Sequence, residues 1–266
     1  MTFKQRYGLW ALITGASEGT GSAFASRLAD EGVASILVAR REGPLAETAA
    51  RVRAKGVASL TVSADLSAPD AAARIVEAVG AREVGLLIAN AGADSNGATF
   101  LDQDIAEWDR LVQINVGTTL HLVHHFGRLM RTRGRGGVIL VGSGACYGGL
   151  NGIAVYSAAK GFLLNFGEAL WAELRGAGVD VLNLILGRTD TPAHRRLMER
   201  NGQPIPADMA SPEAVAEIGL ARLANGPDHN WGQDDDIAGY APNSAADRRA
   251  RILAVEAMSR AYAGRK

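Results

Sequence analysis

Cysteine is nearly absent: Cys146 stands alone among 266 residues, so no disulfide framework can staple the fold, and a reducing compartment suits it. An excess of one charge is missing too. The 28 basic and 28 acidic side chains cancel, which removes the electrostatic argument for nucleic acid or an anionic membrane as partner. No apolar run approaches the ~18 residues of a membrane span, and the opening "MTFKQRYGLW" has no apolar signal core. Repeats, low-complexity tracts and linkers are also lacking. The expectation is a cytoplasmic protein folded as one domain over 1–266.

What the chain does have is alternation. Short apolar runs at 9–14, 34–39, 58–63, 84–89, 137–142 and 179–185 read as buried strands. Ala-rich helical patterns lie between them at 20–31, 44–55, 69–80, 105–132 and 154–176, with another at 211–224. Near-continuous apolar strands separated by helices predict an α/β fold: a Rossmann-like, doubly wound parallel sheet with helices on both faces. The stretch 188–210 has weak periodicity and reads as a flap containing a helix. Residues 227–243 read as loop, and 244–262 as a last helix.

Glycine is plentiful, 32 residues, and it concentrates where a ligand would sit. "TGASEGTG", Thr14 to Gly21, follows the first strand and leads into a helix. A helix N-terminus at the carboxyl end of a parallel strand offers free N–H groups and a positive dipole end to phosphate. Gly15, Ser17, Gly19, Thr20 and Gly21 are therefore candidate cofactor contacts, although a purely structural turn has the same composition. The second strand ends "VARRE". A carboxylate at this place suits the ribose hydroxyls of NAD, whereas Arg40 and Arg41 suit the 2′-phosphate of NADP. NADP(H) is the expected cofactor. Asp65, with Leu66 beside it after the third strand, either meets the adenine or caps a turn.

The remaining strand ends carry chemistry. Asn90, Ala91 and Gly92 end the fourth strand with small residues that leave room for a cofactor. On the 105–126 helix, Asn115 interrupts an apolar line of Trp108, Leu111, Val112, Thr118, Leu122 and Phe126. A buried amide must find partners, and it serves either the core or a water near the site. Ser143 ends the fifth strand. Tyr156 and Lys160 follow in "YSAAK", four apart and so on one helical face. A phenol with a pKa near 10 is a poor acid–base group at neutral pH. An ammonium beside it, with a cationic nicotinamide ring, favours the phenolate and lowers that pKa. Ser143 can hydrogen-bond the reacting oxygen.

Together, "TGASEGTG", "NAG", Asn115 in "INV", Ser143 and "YSAAK" resemble the short-chain dehydrogenase/reductase family over nearly the whole chain. The resemblance implies a catalytic set. Asn115 positions a water through a local helix distortion, Ser143 orients the carbonyl, and Tyr156 gives or takes the proton. Lys160 binds the nicotinamide ribose and lowers the tyrosine pKa. The four-residue Tyr–Lys spacing sets the chain apart from the family's enoyl reductases. "YGLWALITGASEGTGSAF", "RRE" and "GVDVLNLILGRTDTP" look like the bacterial NADP-dependent 7β-hydroxysteroid dehydrogenases. That likeness includes the acidic Glu18 in the glycine turn and Leu186-Gly187. It further implies cofactor contacts from Gly187, Thr189 and Thr191, and a homodimer or homotetramer formed through the long helices.

The expected activity is the interconversion of a ketone and a secondary alcohol, on a bulky, hydrophobic or steroid-like small molecule. Three alternatives stand beside it: a non-catalytic NADP-binding regulator, a reductase of small or aryl ketones, and an enzyme of sugars or polyols. His121, His124 and His125 share a helix but lack an acidic partner at ligand spacing, so no metal is expected. Cys146 reads as packing, "DDD" at 234–236 as a solvated loop, and Arg195, Arg196 and Arg200 as a solvated helix face or a contact for an acidic substrate. "CYGGLNG" (146–152) is suited to opening a wide pocket.

Overall fold

The structure, a computed structural model, describes residues 1–93, 97–147, 152–200, 202, 204–207, 209–231, 249–250 and 253. A short helix α1 (Phe3–Tyr7) precedes β1 (Trp10–Thr14), α2 (Gly19–Asp30), β2 (Ala34–Ala39), α3 (Glu42–Ala54), β3 (Ser59–Ser63), α4 (Ala71–Val79) and β4 (Val84–Ala89). Then come α5 (Ile105–Val112), a π-helical turn over Gln113–Gly117, α6 (Thr118–Arg133), β5 (Gly136–Ser143), α7 (Ala154–Leu174) and β6 (Val179–Leu186). The flap helix α8 (Pro192–Arg200), α9 (Pro212–Arg222) and β7 (Asp228–Trp231) follow.

Among the described residues, all seven strands are parallel, in the order β3-β2-β1-β4-β5-β6-β7. Side chains alternate across the sheet with the two-residue period of a strand. Ala11, Ile13, Leu37, Leu86, Ile88, Ile139, Leu182 and Leu184 join one core, with Phe24 of α2, Leu45 of α3 and Val215 of α9. Leu12, Ile36, Val38, Leu87, Val138, Leu140 and Val181 join the other, with Ile75 of α4, Phe126 of α6 and Trp171 of α7. Phe24 and Phe126, one on each side, are almost wholly buried. Burying one such ring stabilises the fold by roughly 1.5–3 kcal/mol. The doubly wound sheet is thereby sandwiched between helix layers, with the strand order reversing between β1 and β4. A crevice at the carboxyl ends of strands is where such sheets take ligands.

Three expectations need correction. Residues 105–132 are not one continuous helix, because the π turn interrupts them, and Val112 stands outside the buried line at 42% exposure. One extra residue in the turn rotates the stripe, so Thr118, Leu122 and Phe126 resume it on α6. The loop expected from 227 contains β7, whose polar Asp228, His229 and Asn230 are buried against β6 rather than solvated. Finally, α1 lies ahead of the first expected element, held by a capping box between Thr2 and Gln5. The expected last helix, 244–262, and the acidic 234–236 lie largely or wholly outside the described residues.

Candidate active site

Since every strand is parallel, the glycine turn, Arg40, Asp65, Asn90, Ser143 and Gly187 all emerge at one edge of the sheet. The turn is shaped by contacts that only glycine permits. A Cβ on Gly21 would overlap the Gly15 carbonyl, so the first turn of α2 packs directly on the end of β1. Glu18, the N-cap of α2, gives that helix no side-chain cap, and the first turn holds no acidic residue. Thr14, missed from sequence because it reads as the end of an apolar strand, braces the turn. Its Oγ1 accepts from the Asn90 N–H (3.0 Å) and the Ala91 N–H (3.1 Å), while Asn90 Nδ2 donates back to the carbonyls of Thr14 (3.0 Å) and Gly15 (3.3 Å). Asn90 is thus a tie between β1 and β4. The close approach at Gly21 and the uncapped helix head form a cradle that fits a dinucleotide pyrophosphate.

At the carboxyl ends of β2 and β3, Arg40 is exposed and no carboxylate ends β2. Arg41 Nη2 pairs with Glu18 Oε2 at 2.6 Å. Asp65 closes its own turn: Oδ1 accepts from Ser67 N (3.0 Å) and Ser67 Oγ (2.8 Å). Burial pushes its carboxyl up, but the Ser67 bonds, with Arg40 and Arg110, hold it below the usual range. Leu66 is buried, and its carbonyl accepts from Thr118 Oγ1 at 2.7 Å, which fixes the start of α6.

Asn115 sits inside the π turn, 1% exposed. Its Nδ2 donates to the Leu111 carbonyl at 3.0 Å, the acceptor an α-helix would offer to the Asn115 N–H itself. The Thr118 N–H then reaches five residues back, to Gln113. Asn115 Oδ1 is buried without a protein partner and lies against the fourth strand's end, where a Cβ on Gly92 would overlap it. Such an orphaned acceptor fits a bound water or ligand hydroxyl.

On α7, Lys160 is 3% exposed and its Nζ donates to the Val141 carbonyl of β5 at 3.0 Å, two residues before Ser143. Burial lowers the ammonium pKa from 10.5 to about 8, against a smaller opposing pull from Cys146. The same Nζ lies 5.5 Å from the centre of the Tyr156 ring. Tyr156 is half-buried against Trp108, Leu111 and Ala159. The structure therefore brings Tyr156, Lys160 and the end of β5 together, and Asn115 with Gly92. Ser143 Oγ accepts from the Ala145 N–H at 3.3 Å.

Past β6, Thr189 is buried, with its Oγ1 at 3.5 Å from the Gly187 carbonyl, and Thr191 Oγ1 accepts from the His194 N–H at the head of α8. The flap arginines Arg195, Arg196 and Arg200 are exposed, as expected of a solvated helix face, and two of them are also ion-paired, Arg195 with Asp190 and Arg196 with Glu18. Tyr147 Oη donates to Asn230 Oδ1 of β7 at 2.5 Å, whereas 148–151 of the expected wide pocket lie outside the described residues. His121 Nδ1 sits 2.9 Å from the Gly117 carbonyl. No group of three metal-ligating side chains occurs among the described residues.

A family model of short chain dehydrogenases matches residues 9–202. The chain belongs to the short-chain dehydrogenase family. It is an oxidoreductase of hydroxyl and keto groups, similar to hydroxysteroid dehydrogenases. It is 32% identical to a 7β-hydroxysteroid dehydrogenase of Clostridium sardiniense over 84% of this chain and 85% of that one. A solved 7β-hydroxysteroid dehydrogenase superposes with a TM-score of 0.79 at 30% identity, covering 88% and 91% of the two chains. A Sphingobium yanoikuyae short-chain dehydrogenase in complex with NADPH superposes at 0.77, with 25% identity over 96% and 95%. Among the described residues, no helix of this family member is long and apolar enough to cross a membrane.

Proposed function

We propose that the chain is an NADP(H)-dependent dehydrogenase that interconverts a ketone and a secondary alcohol on a bulky, steroid-like molecule. The observation that carries this reading is the fully buried Lys160 ammonium beside the Tyr156 ring, at the end of β5. When bound, the nicotinamide supplies or accepts the hydride.

The chain's own groups do the rest. Tyr156 Oη gives its proton to the carbonyl oxygen in reduction and takes it back in oxidation. The Lys160 ammonium favours the phenolate that remains, because an opposite charge nearby lowers a phenol's pKa. Ser143 Oγ donates to the substrate oxygen and holds it in line with Tyr156. Asn115 Oδ1 accepts from a water that returns the proton to the site. The cradle of Gly15, Ser17, Gly19, Thr20 and Gly21 takes the pyrophosphate, and Asn90, Ala91 and Gly92 border the nicotinamide half. Lys160 also bonds the ribose, and Gly187, Thr189 and Thr191 meet the carboxamide and phosphates.

Arg40 and Arg41, with no carboxylate at the end of β2, support NADP(H), as does the NADPH complex of the Sphingobium relative. The steroid-like substrate is supported by the 7β-hydroxysteroid dehydrogenases among its relatives. Exposed Leu129 and Phe162, on the long helices, support self-association there. The lone Cys146 supports a cytoplasmic setting.

The test is oxidation of NADPH, and separately NADH, against ketones running from small aliphatic and aryl compounds to a 7-oxo bile acid. Turnover of the 7-oxo compound with NADPH is the expected result. Tyr156→Phe should lower kcat by about 10²–10⁴, the usual worth of general acid catalysis, while NADPH still binds. A variant that kept its activity would remove Tyr156 from the proton step.

A further inference from the structure

Glu18 is unused by the reaction described above, yet three parts of the molecule meet on its carboxylate. It stands in the glycine turn, half-buried at 23% side-chain exposure. Arg41, at the end of β2, pairs with Oε2 at 2.6 Å. Arg196, on the flap helix α8, approaches Oε2 through Nη1 at 3.3 Å and pairs with Oε1 through Nη2. Burial alone would raise the Glu18 pKa, but the bonds from Arg196 and Arg41 hold it below the usual carboxylate range.

The flap is built to depend on such a tie. Its base is closed by the bridge between Thr189 and Ala210, with Asp190 N bonding the Ala210 carbonyl at 2.9 Å and Ala210 N the Arg188 carbonyl at 3.0 Å. Between those ends, α8 has no buried residue. The flap meets the glycine turn just ahead of α8, where a Cβ on Gly19 would press on Thr191 (3.0 Å) and lie in ordinary contact with Pro192 (3.7 Å). The Glu18–Arg196 pair adds a charged link one helical turn farther along.

We propose that Glu18 is a positioning residue that relays the cofactor's 2′-phosphate to the flap. The relay rests on Arg40 and Arg41 being the 2′-phosphate site. One carboxylate now serves two guanidiniums that repel each other. A phosphomonoester carries roughly −1.5 to −2 charge, against −1 for the carboxylate, so it draws Arg41 towards itself. Glu18 is then left to Arg196 alone, and α8 is held more firmly on the glycine turn. A nucleotide without the 2′-phosphate leaves Arg41 on Glu18 and the flap looser. Cofactor choice is thus felt at the flap.

Hydrogen exchange over 188–210 of the full chain tests this, with 2′,5′-ADP and 5′-ADP as probes and calorimetry for their affinities. In the wild type, 2′,5′-ADP should slow α8 exchange by roughly threefold more than 5′-ADP, the scale of one surface ion pair. Arg196→Gln, at an exposed position, should erase that difference while leaving 2′,5′-ADP affinity within about twofold. Glu18→Gln should erase it too, and should tighten 2′,5′-ADP by about threefold, since a competing negative charge is gone. Equal protection by both nucleotides, protection that survives Arg196→Gln, or weaker 2′,5′-ADP binding in Glu18→Gln would overturn the relay alone. If 2′,5′-ADP binds the wild type no more tightly than 5′-ADP, the 2′-phosphate site itself fails and the relay with it.

Discussion

At the scale of residues, the buried Lys160 ammonium is the costliest group in the site. Its folded pKa, about 8, lies below the ordinary 10.5, so the unfolded chain binds more protons between those values. Stability therefore rises with pH across that window, and below pH 8 the cost of the buried charge is present in full. Lys160→Met should unfold at a higher temperature than the wild type at pH 7, by about 1–3 kcal/mol, the range expected for removing a buried charge. The gain should shrink when both melts are repeated at pH 10, and activity should be lost at either pH. A variant less stable at both pH values would mean that the bond to Val141 outweighs the desolvation. Tyr156, Lys160, Ser143 and the glycines were legible in the sequence because each is an unusual type at a strand end or helix face. Their partners were not. Asp65 closing on Ser67 is the exception, since capping a turn was one of the two readings of that residue; Thr14 binding Asn90 and Glu18 holding two arginines join residues by contacts that no spacing encodes.

At the scale of elements, α7 aims Tyr156 and Lys160, and what aims α7 is its fit on β6. Gly167 faces Asn183, and a Cβ there would overlap the Asn183 amide. That amide cannot yield: it is 2% exposed and its Nδ2 bonds the Leu164 carbonyl (3.0 Å) and Asp228 Oδ1 (2.8 Å). Gly167→Ala should cost about 1–3 kcal/mol by overpacking and lower kcat as α7 shifts. Gly127→Ala on α6, where nothing lies within 4 Å, should instead stabilise by about 0.5–1 kcal/mol. Thermal melts and rates of the two variants check the contrast. The first six strands were legible because each is an apolar run. β7 was not, since Asp228, His229 and Asn230 are polar residues buried only because β6 pairs with them. The π turn was foreshadowed only by the helix distortion that the family resemblance implied at Asn115: the side-chain bond from Asn115 to Leu111 replaces a backbone bond, and composition alone carries no mark of it.

At the scale of the whole molecule, the parallel sheet separates stability from chemistry. The carboxyl edge is open and carries the site, while α1 seals the amino edge. Tyr7 is 3% exposed, and its Oη donates to Asp180 Oδ2 at 2.8 Å. Arg6 Nε and Nη2 grip the same carboxylate at 2.8 and 3.0 Å. Two strand glycines make room: a Cβ on Gly85 would overlap the Tyr7 carbonyl, and one on Gly137 would press its ring at 3.0 Å. Burial first, then Asp180, pushes the phenol above the usual tyrosine range, so this hydroxyl stays a donor at any working pH. Tyr7→Ala removes both the ring and the bond to Asp180, and should cost about 3 kcal/mol, as large-to-small core changes do. A five-residue strand spans about 17 Å, beyond the distance at which independent sites couple. The variant should therefore melt several degrees lower yet keep its kcat/KM at 20 °C within about twofold, since the carboxyl edge does not feel the loss. A large fall in kcat/KM at a temperature where the variant is still folded would show the two edges of the sheet to be coupled.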